Sequence, residues 1–170
     1  MDLKEKIRVI EDFPQKGISF KDITTLIKDG KAFKQVIKSM ADLVRHKEVD
    51  LVVAPEARGF IIGAPLAYEL GVGFVPTRKN GKLPGKTIKA EYKLEYGVDI
   101  IEMHKDAIKP GQRVIVADDL LATGGTIFST IELVERLGGE ISAAIFLIEL
   151  TDINGRENLN KYDVFSLIKY

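Results

Sequence analysis

The sequence predicts an α/β fold with a mainly parallel central sheet flanked by helices, and three observations carry that expectation. Short continuous apolar runs, the mark of strands covered on both faces, recur at 50–54, 113–117 and 141–150. Segments with apolar residues at helical spacing alternate with them, at 31–47, 60–70 and 127–137. The composition is that of an ordinary folded chain, with 45% hydrophobic and 29% charged residues. At 170 residues, the chain fits one domain on the usual scale of roughly 100–200 residues, so residues 1–170 are expected to form a single domain.

Taken in order, Leu3, Ile7 and Ile10 have helical spacing and predict a short helix within 2–11. Residues 12–25 have no period, and Pro14 and Gly17 mark loop and turn. Phe33, Val36, Ile37, Met40 and Val44 form one face of an amphipathic helix. The strand at 50–54 stops at Pro55. Residues 60–70 are apolar almost all round and predict a buried helix closed by Gly71. Gly73, Phe74 and Val75 suggest a short strand. Residues 77–90 are basic, with Gly81, Pro84 and Gly85, and predict a long exposed loop. Weak alternation at 91–96 and 99–103 suggests two strands joined near Gly97. Residues 113–117 carry the strongest strand signal. Ile127, Ile131, Val134 and Leu137 define a helix ending at Gly138-Gly139. A strand at 141–150, a short helix at 154–160 and a last strand at 164–168 complete the pattern.

Charge and composition exclude several functions. Lys plus Arg and Asp plus Glu each total 25, so no basic excess marks a nucleic-acid or membrane-surface partner. There is no Cys, which removes disulfides, thiolate catalysis and Cys-ligated zinc. The 2 His residues, His46 and His104, are far apart in sequence. The N-terminus shows no apolar signal region, and the longest apolar runs, about six residues, are too short for a bilayer. A cytoplasmic location is expected.

The segment from Val114 to Thr126 carries the most chemistry. An apolar strand runs into Asp118-Asp119, then Ala122-Thr123-Gly124-Gly125-Thr126, then a helix. Ligands in α/β sheets bind beyond the carboxyl ends of the strands. A Gly-rich turn at a helix N-terminus offers free N–H groups and the positive end of the dipole, which suits a phosphate. Carboxylates beside a phosphate must face something else, and a vicinal diol is a natural partner. A Gly-Gly pair alone is an ordinary turn. The full succession of strand, carboxylate pair, Thr-Gly-Gly-Thr and helix predicts a cradle for a ribose 5-phosphate.

The same segment closely resembles the phosphoribosyl-diphosphate signature of the type I phosphoribosyltransferases, in the form found in their adenine-specific branch. Other stretches agree: Phe13-Pro14 with Gly17 through Ile23, Glu56-Ala57-Arg58-Gly59-Phe60, Arg78-Lys79 with Gly81-Lys82-Leu83-Pro84, and Tyr92 with Leu94-Glu95-Tyr96-Gly97. The order is that of the family, the resemblance covers essentially the whole chain, and it is to the short bacterial form. It implies the type I fold, with an N-terminal hood at about 1–30 that reads the base, and a flexible loop. It implies transfer of ribose 5-phosphate from phosphoribosyl diphosphate to N9 of adenine, with Mg²⁺ held mainly by substrate and water and without direct protein ligands. By resemblance, Asp118 and Asp119 hold the ribose hydroxyls and Ala122, Thr123, Gly124, Gly125 and Thr126 hold the 5-phosphate. Arg58, Arg78, Lys79 and Lys82 bind the diphosphate. Ser19, Phe20 and Lys21 read adenine, mainly through the main chain. Glu95 acts as general acid or base at N7, and Tyr96 closes over the site beside Glu95 and Arg58. The resemblance also implies a homodimer, with adenine and phosphoribosyl diphosphate as small-molecule partners. Two departures stand out: Ala57 replaces a frequent Ser, and Ser19 and Lys21 replace frequent apolar and Arg residues.

Competing readings are weaker. Gly81 to Thr87 looks like a nucleotide loop, but three residues separate its glycines where four are required. Asp152 to Gly155 lacks calcium-loop spacing and is expected to be a turn. A non-catalytic sensor of this fold would normally carry an added DNA-binding domain and a basic face. A transferase for 6-oxo purines typically uses a Lys-aromatic pair in a C-terminal hood, and no such pattern occurs near 150–168.

Overall fold

The computed structural model describes residues 1–94 and 96–170. Its centre is a seven-stranded sheet. The strands are β3 (Leu51–Pro55), β4 (Gly73–Lys79), β5 (Thr87–Lys93), β6 (Val98–His104), β7 (Arg113–Leu121), β8 (Glu140–Glu149) and β9 (Val164–Lys169). They lie in the order β5-β6-β4-β3-β7-β8-β9. The run from β4 to β9 is parallel, whereas β5 and β6 form an antiparallel hairpin against β4. A separate two-stranded sheet pairs β1 (Arg8–Ile10) with β2 (Phe20–Asp22) near the N-terminus.

Helices cover both faces, which explains why the central strands are continuously apolar. On one face, α2 (Gly30–Val44) and α3 (Arg58–Leu70) pack Val36, Met40, Ile62 and Leu66 against Ile115, Ala117, Ala143 and Ile145. On the other, α4 (Gly125–Arg136) packs Ile127, Ile131 and Val134 against Val114, Val116, Ala144 and Phe146. The two-residue period of β7 sends alternate side chains to the two cores. Asp29 caps α2 by accepting from the Lys31 and Ala32 N–H groups, each at 3.1 Å. Helix α3 lies close to the sheet because it presents glycine there: a Cβ on Gly63 would stand 2.6 Å from the Ala54 Cβ. Gly71 ends that helix in the left-handed conformation at φ 71°.

Four segments differ from the sequence expectation. Residues 2–11 form a 3-10 turn (Lys4–Lys6) and strand β1, not one helix. Only Ile7 of its apolar residues is buried, and pairing with β2 satisfies the backbone. The 12–25 stretch contains that partner strand and a short helix, α1 (Thr24–Ile27). The expected exposed loop at 77–90 shrinks to a turn between β4 and β5, because Arg78 and Lys79 pair with Glu102 and Ile101 of β6. Both strands keep polar side chains facing out, so no apolar run announced them. The short helix expected at 154–160 is a 3-10 segment, Gly155–Leu159, entered through Asn154 at φ 57°.

Candidate active site

The carboxyl ends of β3 and β7 and the N-termini of α3 and α4 converge on a cleft of about 350 Å³. Strand β7 runs two residues past Asp119, so both carboxylates are held by the sheet. The cleft wall contains Arg58, Asp118, Asp119 and the whole run from Ala122 to Thr126. Tyr92, Lys93 and Leu94 of the β5 end face the same space. Neither helix that points into the cleft has a side-chain cap. Ala57 cannot cap α3, and Gly124, at φ 86°, precedes α4. Their first-turn N–H groups and dipoles therefore remain available to an anion.

Arg58 and the buried Asp119 meet at 3.2 Å. Asp118 accepts from the Asp119 N–H at 2.8 Å. Desolvation, and then the neighbouring Asp119 charge, push the Asp118 carboxyl well above its ordinary range. Gly59 matters to this pair and was missed in the sequence. A Cβ there would stand 3.0 Å from the Asp118 carboxylate oxygen and 2.9 Å from Pro55. Its only sequence signal is its place directly after Arg58.

Phe20 does not line the cleft but stands beside Arg58, whose guanidinium lies 5.8 Å from its ring centre. Phe13 meets Phe20 edge-on at 5.2 Å. The side chains of Ser19 and Lys21 alternate to the other face of β2. Lys21 donates to Ser19 Oγ at 2.8 Å and stands 4.5 Å from the Tyr170 ring centre. The Asp22 carboxyl that follows is pulled down to about 2, first by Thr24 and then by Arg8.

Arg78, Lys79 and Lys82 do not line this cleft. Arg78 pairs with Glu56 at 3.2 Å, and the Lys79 N–H donates to the same carboxylate at 2.7 Å. Burial opposes ionisation of Glu56, but these partners outweigh it and keep the carboxyl below its ordinary value. Tyr92 donates to Asp99 at 2.7 Å, which holds that carboxyl low. Tyr96 is 90% exposed and away from the cleft wall. Glu95 lies outside the described residues.

Comparison with known proteins agrees with this architecture. The phosphoribosyl transferase domain family matches residues 24–169. An adenine phosphoribosyltransferase of Clostridium tetani is 64% identical over 170 residues, covering 100% of this chain and 99% of that protein. The crystal structure of adenine phosphoribosyltransferase from Thermoanaerobacter pseudethanolicus superposes with a TM-score of 0.97 at 58% identity, over 99% of this chain and 98% of that one. The Saccharomyces cerevisiae adenine phosphoribosyltransferase, solved with an imino-altritol bisphosphate and adenine, gives 0.91 at 40% identity, over 97% and 96%. A cleft at the carboxyl end of a parallel sheet, in a chain matched along its whole length by such relatives, places the protein in the phosphoribosyltransferase family, among the adenine phosphoribosyltransferases.

Proposed function

We propose that the chain transfers ribose 5-phosphate from phosphoribosyl diphosphate to N9 of adenine, giving AMP and pyrophosphate. The observation that carries this is the convergence of Arg58, the Asp118–Asp119 pair and the uncapped 122–126 loop on one cleft. Breaking the bond from C1 to the diphosphate builds positive charge on the sugar and negative charge on the leaving group. Preorganised charges and dipoles at both ends are the main source of acceleration in such a reaction.

Each residue has a physical task in this reading. The 122–126 N–H groups and Thr hydroxyls bind the 5-phosphate. Asp118 and Asp119 accept hydrogen bonds from the ribose hydroxyls and face the developing positive charge. Arg58, always charged, turns from Asp119 toward the diphosphate when substrate enters. The main chain near Ser19 and Lys21 reads the base edge, and Phe20 packs on it. A carbonyl acceptor there favours the 6-amino group, since a 6-oxo base would leave it unpaired. Glu95 exchanges a proton at N7, and Tyr96 closes over the bound substrates. The oxygen donors Asp118 and Asp119 would suit a Mg²⁺ ion held through water rather than by direct ligation. When bound, Mg²⁺ neutralises charge on the leaving diphosphate. Arg78, Lys79 and Lys82, the first two paired with Glu56 and Asp99, add positive charge on the β4 side. The working unit is taken as a cytoplasmic homodimer, which sedimentation at micromolar concentration would test.

Purified protein mixed with phosphoribosyl diphosphate, adenine and Mg²⁺ should form AMP and pyrophosphate in equal amounts. No AMP at saturating substrates would overturn the reading.

A further inference from the structure

The 3-10 segment at 155–159 packs against the 122–126 loop without lining the cleft itself. Gly155 is buried, and a Cβ on it would stand 1.9 Å from the Ala122 carbonyl oxygen. Only glycine permits this approach, in which the Gly155 Cα–H faces that oxygen. Asn158 donates from Nδ2 to the Thr123 carbonyl at 3.1 Å. Both peptides are trans. In a trans peptide the carbonyl and the following N–H point opposite ways. Holding the Ala122 and Thr123 carbonyls on this segment therefore points the Thr123 and Gly124 N–H groups away from it.

The segment is anchored so that it can do this. Arg156 donates to Glu149 at 3.0 and 2.7 Å and to the Val164 carbonyl at 2.7 Å, tying the segment to β8 and β9. Leu159 is fully buried in the α4-side core. Asn158, in contrast, is exposed, and its amide donates directly to the loop. The sequence suggested a turn at 152–155 and a short helix at 154–160, with no sign of a contact to the loop.

We propose that Gly155 and Asn158 are positioning residues for phosphate binding: they fix the two carbonyls so that the loop presents its N–H groups to the 5-phosphate. This rests on the phosphoribosyltransferase reading of the cleft. The loop's glycines leave the backbone free to rotate, so an external brace is what makes the donors preorganised.

The test is Asn158→Asp, an isosteric change that sets an acceptor against the Thr123 carbonyl, with Asn158→Ala beside it. Gly155→Ala clashes with backbone and is expected to lose stability as well. For the Asn158 variants, the KM for phosphoribosyl diphosphate and the Kd for AMP should rise about three- to tenfold, the scale of one lost hydrogen bond. The KM for adenine and the thermal midpoint should stay near those of the parent. Unchanged values for phosphoribosyl diphosphate and AMP in an active parent would overturn the proposal alone. Equal losses for adenine and phosphoribosyl diphosphate with a lowered midpoint would also overturn it, in favour of a general structural role. A parent that neither turns over nor binds AMP would overturn the phosphoribosyltransferase reading, and this proposal with it.

Discussion

Arg58 and Asp119 face each other at 3.2 Å across the mouth of the cleft, one from the first turn of α3 and the other from the end of β7. Asp119 is 4% exposed, whereas Arg58 reaches into open space. The fixed partner is the carboxylate and the movable one is the cation. In the proposed reaction, that pairing would hold a diol acceptor and a diphosphate donor side by side before substrate arrives.

Asp119→Asn should therefore weaken phosphoribosyl-diphosphate binding about ten- to a hundredfold, the range for a hydrogen bond to a charged group. Asp118→Asn should act in the same direction. Calorimetric titration of both variants checks this. Unchanged binding in both would remove the ribose-cradle role.

Gly59→Ala should weaken the same binding without touching the ligand. The added Cβ would meet Asp118 at 3.0 Å and Pro55 at 2.9 Å, so the carboxylate or the start of α3 must shift. The expected readout is a several-fold rise in KM for phosphoribosyl diphosphate, with a modest loss of thermal stability. Parent-like kinetics would show that the cleft absorbs the methyl group.

Glu95→Ala should lower kcat about 10²- to 10⁴-fold, the usual worth of a general acid or base. The Kd for phosphoribosyl diphosphate should stay within about twofold of the parent, since the role assigned to Glu95 concerns the base. Stopped-flow turnover with equilibrium binding separates the two. Unchanged turnover would remove the acid-base role.

Stability should depend on acid through Glu149. The Arg156 hydrogen bonds come first among the causes that pull its carboxyl to about 2, from an ordinary 4.5. A lowered folded-state value stabilises the fold above the unfolded value, and this contribution is lost as pH falls through the folded value. Glu149→Gln should thus cost about 1–3 kcal/mol at neutral pH, and the gap to the parent should close between about pH 4.5 and 2. Denaturant melts across that range check it. A gap that does not change with pH would contradict the assignment.

What the sequence made legible was local. Val114 to Thr126 places strand, carboxylates, Gly-rich loop and helix within one short run, and each part sits in the fold as that order implied. The central strands were legible because cover on both faces makes them continuously apolar. The N-terminal β1–β2 pair was not, because its strands have three residues each and fully bury only Asp22. Strand β4 beyond Val75 was hidden for a similar reason, since Arg78 and Lys79 pair through the backbone while their side chains stay polar. The brace against the 122–126 loop lay beyond local pattern altogether. Asn158 and Thr123 are 35 residues apart, and nothing in either neighbourhood names the other.

The most direct test is pyrophosphate release from phosphoribosyl diphosphate with Mg²⁺, run in parallel with adenine, hypoxanthine, guanine, xanthine, uracil and orotate. Rapid release with adenine alone is the predicted result. It would support both the ribose-phosphate cleft and the base-reading segment around Phe20. Release with hypoxanthine or another 6-oxo base at a comparable kcat/KM would contradict adenine recognition while keeping the cleft. Tight binding of phosphoribosyl diphosphate without release for any base would contradict the transferase itself.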